Sequence, residues 1–160
     1  MPTDAHHVKL RVTMRRALVY LCLLLACGGC ATTTSLPQTP AEVKLNAGRF
    51  EQGYWPRYAA SAVFSGRSIE AVFNSARAAL VENAFTIVRE DLAGGVVMGE
   101  HGPTFFYWNV MAGIYLTRSG SDVEVKVVTV GSKDIGFIEL VPSNWPSKLL
   151  GSLRAALDRP

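Results

Sequence analysis

The chain has 160 residues, of which 49% are hydrophobic, 18% charged and 9% aromatic, and a formal net charge of +3. That length suits one domain, and the composition excludes wholesale disorder, a collagen-like fibre and a disulfide scaffold. The charge belongs to the first sixteen residues, where Lys9, Arg11, Arg15 and Arg16 stand against Asp4 alone. Taking those four from sixteen basic residues, and Asp4 from thirteen acidic ones, leaves twelve of each. A body without net charge has no electrostatic footprint for nucleic acid.

Arg15-Arg16 precede ten uncharged residues, Ala17 to Ala26. As a helix these cover about half of a ~30 Å hydrocarbon core, too little to span it. A basic start, a short apolar run and small residues after it make a secretory signal pattern. Met14 opens a tighter version of that pattern, and residues 1–13, with His6-His7, then read as an upstream extension. All three cysteines, Cys22, Cys27 and Cys30, fall here, so the rest of the chain holds no disulfide and no thiolate metal site.

Residues 31–57 are expected to be a tether and an irregular segment. Ala31 to Pro40 is small, polar and twice interrupted by proline, a composition that buries little apolar surface. Tyr58, Ala60, Ala62 and Phe64 alternate as a first strand, opening a domain over 58–160. Ser68 caps a helix whose apolar face is Ile69, Val72, Phe73, Ala76 and Leu80, and Asn83 is the expected left-handed stop. Phe85 to Arg89 forms a strand, Glu90 to Gly95 turns, and Val96-Val97-Met98 begins its hairpin partner.

Pro103 to Thr117 carries no charge. Phe106, Trp108, Val110, Ala112, Ile114 and Leu116 line one apolar face of a long strand or tight strand pair, while the opposite set, Phe105, Tyr107, Asn109, Met111, Gly113, Tyr115 and Thr117, is mixed. Val123, Val125 and Val127 alternate with Glu124 and Lys126 in a half-buried strand. Ile135, Phe137 and Ile138 suit a further short strand. Ser143 or Asn144 caps a last helix with Leu149, Leu150, Leu153, Ala156 and Leu157 on its buried stripe. The order β-α-β-β-β-β-α predicts an α+β fold, a single antiparallel sheet with two helices on one face.

Two resemblances attach to these residues. Leu24-Leu25-Ala26-Cys27 resembles the lipobox of bacterial lipoproteins, which implies a diacylglycerol-modified cysteine at the mature amino terminus. Cys27 has Leu at −3; Cys30 has Gly29 at −1, and its choice would leave no free thiol, so both stay open. Neither Gly28 nor Ala31 is the aspartate that resembles an inner-membrane retention signal, which implies an outer-membrane anchor facing the periplasm. The plainer alternative is a secretory signal with cysteines acting as small hydrophobes. Val72 to Ile87, followed by Asp91 and Gly94-Gly95-Val96-Val97, resembles small proteobacterial lipoproteins of uncharacterised function and modules of the BamC type. That likeness implies a TBP-like or helix-grip-like sheet-and-helix fold.

Chemistry is sparse. Outside the leader the one histidine is His101, between Glu100 and Gly102, read as a solvated loop residue. Zinc would need further nitrogen or sulfur donors, and no cofactor motif or nucleophile elbow occurs. Glu90 and Asp91 are neighbours expected to face water rather than one substrate. Phe105, Tyr107 and Tyr115, with Trp55, make the candidate binding surface, because aromatics exposed on a sheet mark interfaces. The alternative is that Tyr54-Trp55-Pro56 or the second helix covers them. The expectation is a lipid-anchored, non-enzymatic binding domain with an envelope protein partner. An accessory subunit of an outer-membrane assembly complex and a small envelope hydrolase are the alternatives.

Overall fold

A computed structural model describes residues 32–45, 57–102, 109–131 and 145–159. All belong to the unit Ala31–Pro160. Five strands, β1 (Arg57–Ser65), β2 (Thr86–Asp91), β3 (Val96–His101), β4 (Val110–Ser119) and β5 (Asp122–Gly131), form one antiparallel sheet in the order β1-β5-β4-β3-β2. Helices α1 (Ile69–Glu82) and α2 (Trp145–Leu157) complete the expected α+β arrangement.

Side-chain alternation divides the sheet into two apolar layers. Phe64, Val97, Val110, Ala112, Ile114, Leu116, Val123, Val125 and Val127 pack on the helices, against Val72, Phe73, Ala76, Leu80, Leu149 and Leu153. These are the faces that the two- and 3.6-residue spacings specify. Helix α1 begins where Ser68 Oγ accepts from the Ala71 amide at 3.1 Å. The β4–β5 hairpin turns through two residues, and Gly120, first of the pair, takes φ +63°, the left-handed region that glycine enters without a Cβ clash.

The end of α1 differs from the expectation. Asn83 keeps φ −97°, and Ala84 is the left-handed residue at φ +62°. Ala84 N donates to Val81 O and Phe85 N to Leu80 O, both at 3.0 Å, a Schellman closure with alanine in the glycine position. Asn83 is otherwise engaged, because its Nδ2 donates to Ala79 O at 2.7 Å and to Ser152 Oγ on α2 at 2.9 Å. Its side chain ties the two helices together.

A second correction concerns the tether. Thr32–Leu45 is part of the fold, with 3-10 turns at Thr33–Ser35 and Pro40–Glu42. Leu36 and Val43, each 3% exposed, pack on the sheet face away from the helices, against Val96, Met98, Met111, Tyr115, Val128 and Val130. A largely polar segment therefore covers these residues, with Leu36 and Val43 buried and Leu45 partly buried against them. We call it the strap. The sequence candidates for a short strand at Ile135, Phe137 and Ile138 and for a cap at Ser143 or Asn144 lie outside the described residues.

Candidate functional site

Of the four residues expected to form an aromatic binding surface, the described structure includes Tyr115 alone. Trp55, Phe105 and Tyr107 lie outside the described residues, as do Cys27 and Cys30. Tyr115 is 1% exposed, so it is no part of an exposed surface. Its ring lies back over Gly113, where an added Cβ would come within 2.7 Å of Cε2 and Cζ. Its hydroxyl donates to Pro37 O at 2.7 Å. The cover expected from Tyr54-Trp55-Pro56 or from the second helix comes, at this position, from the strap.

The strap is held by polar contacts as well as by burial. Gln38 N donates to Glu42 Oε2 at 2.8 Å, and Gln38 Nε2 donates to the carbonyls of Thr33 and Leu36, both at 2.9 Å. From β2, the Arg89 guanidinium donates to Gln38 O at 3.2 Å and to Gln38 Oε1 at 3.0 Å. An exposed arginine contact alone is weak, but here it lies beside a buried apolar seam.

Titratable groups are dispersed. Glu90 pairs with Arg77 of α1 at 2.6 Å. Asp91 Oδ1 accepts from Gly94 N at 2.8 Å, shaping the β2–β3 turn, and its other oxygen lies 3.5 Å from Arg89. These adjacent carboxylates thus serve different neighbours. Glu100 accepts from Asn109 Nδ2 at 3.2 Å. His101, next along the strand, takes the opposite face.

His101 is not the solvated loop residue expected. It ends β3, half-buried, with its ring 5.3 Å from Phe85 and 5.7 Å from Trp145, and its Nδ1 lies 2.9 Å from Gly102 O. Phe85 and Trp145 meet edge to face at 5.2 Å, and Lys148 Nζ sits 4.5 Å over the indole. This aromatic cluster joins the sheet to the first turn of α2, a geometry that favours edge-to-face contact and a cation on the ring face. Sequence reading missed the trio because Phe85 precedes β2, His101 ends β3 and Trp145 opens α2, with no shared spacing.

Two buried polar atoms belong to the same layer between sheet and helices. Among the described residues, Trp145 Nε1 and Thr129 Oγ1 find no hydrogen-bond partner. Thr129 faces Ala112 across the β4–β5 ladder, on the helix side, one alternation beyond Val127. Unsatisfied buried donors are uncommon, and each costs about 1–3 kcal/mol. Among the described residues no group of three His, Cys, Asp or Glu side chains is placed to hold a metal ion. No helix among them is long and apolar enough to cross a membrane.

No family model matches the chain, and no curated protein matches it. Several solved structures resemble it. Ara h 8.0201 is 13% identical at a TM-score of 0.44, over 65% of this chain and 96% of that one. A protein from Thermus thermophilus, TTHA0849, is 12% identical at 0.41, over 64% and 97%. A DUF4468 family protein from Bacteroides ovatus is 11% identical at 0.42, over 71% and 92%. Likeness at this level says nothing about ligand or activity.

Proposed function

We propose that this protein is a lipoprotein of the bacterial outer membrane, facing the periplasm, whose small α+β domain binds an envelope partner and catalyses no reaction. The observation that carries the reading is the run Leu24-Leu25-Ala26-Cys27, resembling a lipobox, ahead of a body without a single thiol. Two or three acyl chains on one cysteine anchor a protein where one chain, at ~0.8 kcal/mol per buried CH₂, binds marginally. The absence of catalysis is supported by the separate engagements of Glu90, Asp91 and Glu100 and by the packing of His101 against two aromatic rings.

The reading is tested by metabolic labelling with an alkyne fatty acid, mass spectrometry of the mature amino terminus and membrane fractionation. Wild type should carry the label and sediment with membranes, and globomycin should block its processing. Substituting both Cys27 and Cys30 by Ala should release it. Continued membrane association of that double variant would remove the anchor from the account, and capture of a soluble substrate turned over by the purified domain would remove the binding role.

A further inference from the structure

We infer that the anchor holds the domain against the lipid surface with its strapped sheet face toward the bilayer and its helices away from it. This rests on the acylation reading above and adds an interaction surface to it. The strap is fixed to the domain from its first turn onward. The Thr33 carbonyl accepts from Gln38, whose backbone carbonyl accepts from Arg89 of β2; the Pro37 carbonyl accepts from Tyr115 of β4. The strap's Leu36 and Val43 are buried against the sheet.

The covalent span between an acylated cysteine and the first fixed residue of the strap is therefore short. Its reach follows from covalent length alone: three residues from Cys30 to Thr33 extend to about 10 Å, and six from Cys27 to about 20 Å. A tether running through residue 57 would reach on the order of 90 Å. A domain of this size has a radius of gyration of ~14 Å, comparable with the whole available span. It cannot stand clear of the headgroups by more than a fraction of its own width. Because Leu36 and Pro37, within a few residues of the strap's start, lie on the face opposite α1 and α2, that face is drawn to the lipid. Lys44, exposed on the strap, and Arg89 at its margin lie on that side, as does Lys126, which the β4–β5 register places opposite Tyr115 and which pairs with Glu124. A periplasmic partner then meets the helices or the sheet rims, and the closed outer face is left to the membrane.

The test uses the full acylated protein in phosphatidylethanolamine–phosphatidylglycerol nanodiscs containing a gadolinium-chelating lipid. Amide relaxation is compared at Lys44 and Arg89 and at Glu70 and Arg154 on the helices. The expected result is severalfold stronger relaxation at Lys44 and Arg89. A Gly-Ser insertion of about twelve residues between Ala31 and Thr32, adding roughly 20 Å of flexible reach, should abolish that difference. Equal relaxation of both pairs in the native protein, or no effect of the insertion, overturns the orientation while acylation stands. A protein found outside the nanodisc with an unmodified terminus overturns both.

Discussion

Tyr115 and Pro37 lie 78 residues apart in the chain and meet through one hydrogen bond of 2.7 Å, from the phenol to the proline carbonyl. Both residues are buried, so the bond joins the middle of β4 to a segment whose composition resembles a linker. Tyr115→Phe leaves a buried carbonyl short of a donor, which costs about 1–3 kcal/mol. Urea unfolding should show the midpoint lowered and the slope little changed.

Gly113 makes room for that tyrosine. A Cβ at 113 would press on the ring at 2.7 Å, so Gly113→Ala should destabilise by about 1–3 kcal/mol through overpacking. In a Tyr115→Ala background the same change should cost much less, since the two sites share one contact. Additive effects in a double-mutant cycle would show that the ring does not depend on the glycine.

The strap should be needed for the fold to stay closed. Deleting residues 32–45 would expose Met98, Met111, Tyr115, Val128 and Val130 together, an apolar patch that soluble proteins seldom present. The expected outcome is a lowered melting temperature with strong binding of a fluorescent apolar dye. Leu36→Ala alone removes one of its two main anchors and should cost about 2–3 kcal/mol, at the low end for a buried leucine. An unchanged melting curve for the deletion would mean that the outer face closes without the strap.

What the sequence discloses and what it hides follow from period and range. Val110, Ala112, Ile114 and Leu116 take the helix-facing side because a strand alternates, and Val72, Phe73, Ala76 and Leu80 because a helix turns every 3.6 residues. Each pattern is local, so the sheet, the two helices and the inner core are legible. The strap has no period: Leu36 and Val43 are seven residues apart among prolines and threonines, and their burial is decided by Met98 and Tyr115 far down the chain. The same long range misplaces Tyr115, whose exposure depends on what lies over it. At the end of α1, Asn83 has the right chemistry for a left-handed stop, but Ser152 on α2 takes its amide.

Glu82 and Arg159 make an exposed pair that joins the end of α1 to the chain beyond α2. Hydrogen bonding from the guanidinium, aided by its charge and opposed by partial desolvation, holds the Glu82 carboxyl below its usual range. A depressed folded value means that the unfolded chain binds the proton more readily. The pair's small contribution is thus present above the ordinary glutamate range and is lost as the pH falls through the lowered one. NMR titration should place Glu82 below an unperturbed glutamate, and Arg159→Ala should return it toward the ordinary value. Added salt should weaken the effect, as expected for a solvent-screened pair.

Ala84 closes α1 at φ +62°, where its Cβ crowds the following carbonyl. Both capping hydrogen bonds, Ala84 N to Val81 O and Phe85 N to Leu80 O, come from backbone amides and need no side chain at 84. The side chain there is exposed, so its loss opens no cavity. Ala84→Gly should therefore stabilise the domain by about 1 kcal/mol, the relief of strain exceeding the extra chain entropy that glycine brings to the unfolded state. Phe85 follows directly and packs on Trp145 and His101, so a firmer turn also fixes the entry of β2 beneath that aromatic cluster. Thermal unfolding of the glycine variant, with Ala84→Val as its opposite, checks the sign: valine at this position should lower the midpoint, because a branched Cβ meets the same carbonyl with less freedom to turn away.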